Sequence, residues 1–254
     1  MTKNLYKKGS IKIEAIILNS GTGSRMGEFT RNNHKSMVEI DDETPLIYHQ
    51  IRTLERAGAK KIVITTGHMS EKLKDYIDTK FTDLHITYVY NPEYLNTNYI
   101  YSMYLASDKL NRDIILLHGD LYFDDDVLNH VVNSNKSCIA VDSTLPLPAK
   151  DFKAEIEDGS IKKVATYIDN AGCVACQPLY KLNNGDWNVW KEAIHKFCKS
   201  GKRDVYAEEA LNTVLRDIEL MPIDLQGRLC MEVDTLDDLA LLRSKIAKYS
   251  RSTA

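Results

Sequence analysis

The chain has 254 residues, 43% of them hydrophobic, with 33 Lys and Arg against 36 Asp and Glu and a formal charge of −3. That length can bury a sizeable α/β core, and the near-neutral balance argues against a nucleic-acid binder working through a broad basic face, so small anions are better partners than DNA. No apolar run approaches the ~20 residues that span a bilayer, and no apolar stretch with a cleavage site follows the basic, polar residues 1–12, which predicts no membrane association and a cytoplasmic protein.

Aliphatic and β-branched runs at residues 13–18, 62–66, 86–90, 114–117 and 138–141 read as strands. Helical patterns lie between them at 46–57, 71–81, 98–110 and 125–133. From the second run on, the strand starts at 62, 86, 114 and 138 are spaced by about a strand plus a crossover helix. That rhythm predicts an α/β fold, a Rossmann-like, mostly parallel sheet sandwiched by helices. After Val141 the pattern changes, with Pro146 and Pro148 interrupting regular structure. Residues 153–157 and 161–166 flank Asp158-Gly159 and read as an inserted β-hairpin, since that dipeptide supplies the positive φ angles of a two-residue turn. Helices at 186–199, 207–216 and 236–247 and strands at 218–223 and, more briefly, 229–233 complete the expectation. No linker or repeat is visible, so residues 1–254 read as a single domain. Five cysteines fit reduced, buried thiols; Cys173 and Cys176 have the spacing of half a zinc site with no second pair to complete it.

The first strand runs into Asn19-Ser20-Gly21-Thr22-Gly23-Ser24-Arg25-Met26-Gly27, at the carboxyl edge of the predicted sheet, where open α/β folds bind ligands. Glycines there let the backbone approach a ligand, and successive amides can cradle phosphate oxygens. Met26 stands where a dinucleotide fingerprint needs its third glycine, and the Gly-Lys-Ser/Thr of a P-loop is absent. Arg25, Arg31, His34 and Lys35 follow with only Glu28 opposing them, an electropositive island in an acidic protein.

The stretch from Ala15 to Met26, with Lys35-Ser36-Met37-Val38 after it, resembles the signature of the nucleotidyltransferases that make nucleotide-activated sugars and alcohols. Residues 91–105 resemble their base-binding segment, His118-Gly119-Asp120 their metal-binding strand end, and Glu232-Val233-Asp234 their second metal carboxylate. Four blocks in this order are more specific than any one, and they span nearly the whole chain. Asn98-Tyr99-Ile100-Tyr101-Ser102-Met103-Tyr104 and Val205-Tyr206-Ala207-Glu208-Glu209 are most similar to cytidylyltransferases acting on phosphocholine and aminoethylphosphonate. One departure is His34, where the family usually has proline; it bears on the rigidity of that loop and not on the role of Lys35.

The resemblance implies a nucleotide-diphospho-sugar transferase-like fold and a Mg²⁺-dependent cytidylyltransferase that joins CMP from CTP to 2-aminoethylphosphonate or phosphocholine and releases pyrophosphate. A sugar-1-phosphate nucleotidyltransferase is the alternative, weakened by the lack of longer sugar-binding insertions. It further implies Arg25, Lys35 and Lys153 as catalytic groups, and Asp120 and Asp234 as Mg²⁺ ligands. Leu18, Asn19, Ser20, Gly21, Thr22, Gly23, Thr97, Asn98, Ser102 and Gly119 would hold the nucleotide, and Tyr101, Asp142, Lys153, Glu208 and Glu209 the acceptor. The partners are thus CTP and a small phosphorylated or phosphonylated amino alcohol, with a homodimer left open. Plainer roles compete: Asp234 or Asn98 can cap a helix, Lys153 can be a solubilising hairpin lysine, and Tyr101 and Tyr104 at helical spacing can be core. Acids able to pair a primary amine tilt the acceptor towards aminoethylphosphonate.

Overall fold

The structure is a computed structural model that describes residues 13–168 and 172–252; the N-terminal residues 1–12, read above for a leader, lie outside them. The elements run β1 (Glu14–Asn19), α1 (Phe29–Asn32), α2 (Leu46–Arg56), β2 (Lys61–Thr66), α3 (Ser70–Lys80), β3 (His85–Tyr90), α4 (Tyr99–Ala106), β4 (Ile114–His118) and β5 (Leu121–Phe123). They continue with α5 (Asp125–Val132), β6 (Cys138–Asp142), β7 (Lys153–Glu157), β8 (Ser160–Ala165), β9 (Cys173–Leu182), α6 (Asn184–Lys199), α7 (Ala207–Asn212), β10 (Met221–Asp224), β11 (Cys230–Glu232) and α8 (Leu236–Ser252). Among the described residues no helix is long and apolar enough to cross a membrane.

The main sheet has the order β10-β6-β9-β4-β1-β2-β3, with β7 and β8 added beside β9. β1 lies between parallel partners β2 and β4 and is buried along its whole length, which is why its sequence is a continuous apolar run and does not alternate. Its side chains still point both ways. Ile16 and Leu18 join a core with α4, α6 and α7, whereas Ala15 and Ile17 join a second core with α2, α3 and α5. Glu14, buried at the strand's start, is paired: Lys61 Nζ lies 3.1 Å away and the Asn111 amide donates at 2.7 Å. A third apolar cluster, including Met26, Leu46, Val233 and Leu242, seats α8 under the glycine turn and the end of β11.

The hairpin forms where Asp158-Gly159 predicts it, with φ of 50° and 73°. Most other predicted elements hold to within a few residues, with three corrections. The helix expected over 98–110 ends at Ala106 and tightens into a 3-10 turn, that over 207–216 ends at Asn212, and the strand at 218–223 shifts to Met221–Asp224. The larger revision is β9, ten residues that the sequence reading left without structure. It runs antiparallel between β4 and β6, so those two do not pair. Pro178 in its middle argues against a central strand because it cannot donate to the ladder. The register shifts opposite Ile139 and Val141, and this irregularity accommodates the proline.

Candidate active site

The carboxyl ends of β1 and β4 open onto one cleft, lined by Leu18, Asn19, Ser20, Gly21, Thr22, Gly23, Arg25, Lys35, Thr97, Asn98, Ser102, Gly119 and Asp120. All ten residues expected at the nucleotide therefore meet there. Of the glycines that line it, two are demanded by space. Gly23 has φ 63°, and a Cβ on it would sit 2.7 Å from Lys35 Cβ; one on Gly119 would sit 1.8 Å from Asn19 Oδ1. Gly119→Ala is expected to cost about 1–3 kcal/mol through overpacking, lowering the melting midpoint by about 2–4 °C per kcal/mol in a chain of this size. Thermal unfolding checks this; an unchanged midpoint would mean that the Asn19 side chain swings aside freely.

Two carboxylates from distant parts of the chain converge on one ammonium. Lys35 Nζ donates to Asp120 Oδ2 at 2.6 Å and to Asp234 Oδ1 at 2.5 Å, and the Arg25 guanidinium reaches Asp234 Oδ1 at 2.8 Å. The capping alternative for Asp234 is settled by its neighbour. Thr235 and Asp238 exchange hydrogen bonds at the start of α8, so Thr235 does the capping and the Asp234 carboxylate faces the cations. Burial works against the Lys35 ammonium, but Asp120 and Asp234 outweigh it and raise its pKa. Burial likewise pushes the Asp120 carboxyl up, but Lys35 and then His118 leave it below its ordinary value.

Beside this pair stand His118 and Glu232, which the two metal-binding blocks of the sequence contain but to which no role was given. His118, Asp120 and Glu232 offer ligand atoms within 4.8 Å of one another, and His118 Nδ1 lies 3.5 Å from Glu232 Oε1. Burial, helped by the charges of Asp120 and Asp234, raises the Glu232 carboxyl despite the hydrogen bond from His118. Among the described residues Asp120 Oδ1 and His118 Nε2 are buried without a partner, an unusual cost for polar atoms inside a fold. Hard carboxylate oxygens with an unspent acceptor among them fit Mg²⁺, which takes few protein ligands and keeps water and phosphate as the rest. Cys173 and Cys176 are free thiols outside this group.

On the other wall, Asn91 organises the segment expected at the base. Its Nδ2 donates to Thr97 Oγ1 at 3.1 Å and to Ser102 Oγ at 3.0 Å, and Ser102 donates in turn to Ser20 Oγ at 2.9 Å. Asn98 caps α4, its Oδ1 accepting from the Tyr99 amide, and still lines the cleft. The segment 91–102 was legible as a block, but Asn91 was not singled out within it as a cleft residue.

The expected acceptor residues are more dispersed. Lys153 is buried and donates to the Thr166 carbonyl at 2.5 Å. Tyr101 packs in the core, stacked on Tyr104 and covered by Arg203. Asp142 is turned into a different pocket, its oxygens accepting from Thr144 and the Gly227 amide. Glu209 is exposed. Glu208 is buried, with one oxygen accepting from Tyr180 at 2.7 Å and the other from Tyr99. Burial and the Glu208 charge hold both phenols well above their ordinary pKa, so both remain donors. The acids that tilted the acceptor towards a primary amine are thus largely occupied. Tyr99 meanwhile lies edge-on to His118 at 4.7 Å and 5.9 Å from Tyr206, which abuts Phe152 at 5.1 Å, an aromatic cluster next to the cleft.

A family model described as nucleotidyl transferase matches residues 14–147. CMP-5′-(3-aminopropyl)phosphonate synthase from Streptomyces rubellomurinus is 28% identical over 181 residues, which is 68% of this chain and 28% of that protein. Choline-phosphate cytidylyltransferase from Streptococcus pneumoniae is 22% identical over 233 residues, 89% of this chain and 95% of that one. The solved inositol-1-phosphate CTP transferase from T. maritima shares the fold at TM-score 0.76 and 19% identity, over 94% of this chain and 97% of that one.

Proposed function

The chain belongs to the nucleotidyl transferase family, and on that premise we propose that it is a cytidylyltransferase joining CMP from CTP to a small amino-alcohol phosphate or phosphonate. The observation that carries this reading is the meeting of the glycine turn, Arg25, Lys35 and Asp120 at one cleft, with Asp234 bonded to both of those cations. The relatives' names supply the cytidylyl part: one is a CMP-phosphonate synthase and another a choline-phosphate cytidylyltransferase.

An oxygen of the acceptor phosphate or phosphonate attacks the α-phosphorus of CTP; the bond from that phosphorus to the β-phosphate oxygen breaks, and pyrophosphate leaves. The attacking oxygen is ionised at neutral pH, so no general base is needed. What the protein must do is hold two anions together and neutralise charge as it builds. Arg25, largely exposed with a planar fork, grips the triphosphate, and the amides of the glycine turn line its path. Lys35 contributes a compact charge at the α-phosphate. Asp120 and Asp234 would hold Mg²⁺, which would neutralise phosphate oxygens when bound. Asn91, Thr97, Asn98 and Ser102 frame the base. Lys153 meets the acceptor's phosphoryl group after exchanging its bond to Thr166, and the Tyr99, Tyr206 and Phe152 rings, backed by Glu208, face its organic cation.

Pyrophosphate release with each of four nucleoside triphosphates against 2-aminoethylphosphonate, phosphocholine, phosphoethanolamine and glucose 1-phosphate tests this. CTP is expected to be preferred at least about tenfold, the difference that one lost base hydrogen bond makes, and an amino-alcohol acceptor to be required. Turnover with sugar phosphates alone would transfer the site to the sugar-1-phosphate class; silence with every acceptor would remove the reading.

A further inference from the structure

His34 is 2% exposed, and none of the roles assigned above uses it. Both ring nitrogens are engaged. Nδ1 accepts from the Ser36 amide at 3.2 Å and lies 2.9 Å from the Ser36 hydroxyl, while Nε2 lies 2.8 Å from the Asn19 carbonyl. A backbone amide can only donate and a carbonyl can only accept, so this geometry needs the neutral ring with its proton on Nε2. Burial enforces that form, lowering the pKa to about 4 although the Asn19 carbonyl pulls the other way.

The ring therefore ties the last residue of β1 to the 3-10 turn Lys35–Met37. Between these two points the chain makes the whole excursion through the glycine turn and α1. A second strap lies inside it, where the Thr30 hydroxyl sits 3.2 Å from the carbonyls of both Gly23 and Gly27. The Gly23 backbone also packs directly on the Lys35 side chain. The turn and Lys35 thus form one unit, closed at its base by His34.

We propose that His34 is a positioning residue that fixes the glycine turn relative to Lys35, so that the turn's amides and the ammonium address the same phosphate group. The assignment rests on the nucleotidyl-transfer reading above. Displacing a binding group by about 1 Å costs up to about 10²-fold in rate, and a single buried cross-link at the root of a loop controls displacements of that size.

The backbone at this position allows a clean separation of ring from chain. His34 has φ −73° and Asn33 is extended at φ −137° and ψ 154°, and the His34 amide donates no hydrogen bond among the described residues. Proline is compatible with all three conditions. His34→Pro therefore keeps the chain direction and removes the ring. His34→Asn keeps a side-chain acceptor for the Ser36 amide but is too short to reach the Asn19 carbonyl.

The experiment measures nucleotide affinity by titration calorimetry, kcat/KM for nucleotide and for acceptor, and the melting midpoint, on wild type and both variants. Both are expected to melt as cooperatively as wild type, to bind CTP about 10-fold more weakly and to lose about 10- to 100-fold in kcat/KM for nucleotide, with KM for the acceptor nearly unchanged. Wild-type nucleotide affinity in His34→Asn, or losses spread equally over both substrates in proportion to the fall in midpoint, would overturn the proposal. A wild type that neither binds nor turns over any nucleotide would instead overturn the functional reading, so the two failures are separate.

Discussion

Asp120→Asn is expected to lower turnover by about 10³-fold, equivalent to about 4 kcal/mol at the transition state, in a protein that folds as wild type does. Asparagine has the same shape, and its carbonyl oxygen can still accept from Lys35 where Asp120 Oδ2 now does at 2.6 Å. What changes is charge. Among the described residues Asp120 Oδ1 is buried with no partner, and in the variant either that acceptor or the bond to Lys35 is replaced by an amide N–H that a cation repels. Because turnover could fall for other reasons, the decisive measurement is Mn²⁺ binding to the nucleotide-free protein by electron paramagnetic resonance. Binding is expected to weaken about 10- to 100-fold on loss of one carboxylate ligand, and wild-type Mn²⁺ affinity in Asp120→Asn would remove Asp120 from the ion site.

Much of this site was legible because its residues follow from where strands end. An uninterrupted apolar strand such as β1 has to be central, and a glycine turn after it has to lie at the ligand-binding edge; Asp120 after β4 and Asp234 after β11 came from the resemblance to nucleotidyltransferases, and their places at strand ends agree with it. What remained hidden depends on partners far apart in sequence. Whether Asp234 caps α8 or faces the cleft was undecidable until Thr235 and Asp238 were seen to satisfy the helix end. Glu208 reads as a free acid in the sequence, yet Tyr99 and Tyr180, 109 and 28 residues away, occupy both of its oxygens. β9 was missed for a local reason, since a mid-strand proline is normally disqualifying and only the irregularity opposite β6 makes room for it. His34 was noticed as a substitution for a rigid residue; that its ring supplies a tie of its own could be seen only once the Asn19 carbonyl was in place.

Lys35→Met is expected to separate two properties of the cleft that wild type shows together. The side chain is 11% exposed and its ammonium lies between two carboxylates, so its removal leaves Asp120 without its cation and Asp234 paired with Arg25 alone. Breaking a buried pair in this way costs about 3–5 kcal/mol; the carboxylates here are 23% and 17% exposed, and solvent screening reduces that to about 2 kcal/mol. In the presence of a chelator the melting midpoint should therefore fall by several degrees. A divalent cation binds the folded form alone and stabilises it in proportion to its affinity; with no ammonium competing for the two carboxylates, the rise in midpoint on adding Mg²⁺ should be larger than in wild type. Turnover should nevertheless stay about 10³-fold down, because the charge supplied at the α-phosphate is gone. Thermal melts with chelator and with Mg²⁺, beside pyrophosphate release, read both effects. A Mg²⁺ shift no larger than that of wild type would mean that the ammonium and the ion do not share Asp120 and Asp234. Near-normal turnover would show that Lys35 is a structural counter-ion and that the phosphate is neutralised from elsewhere.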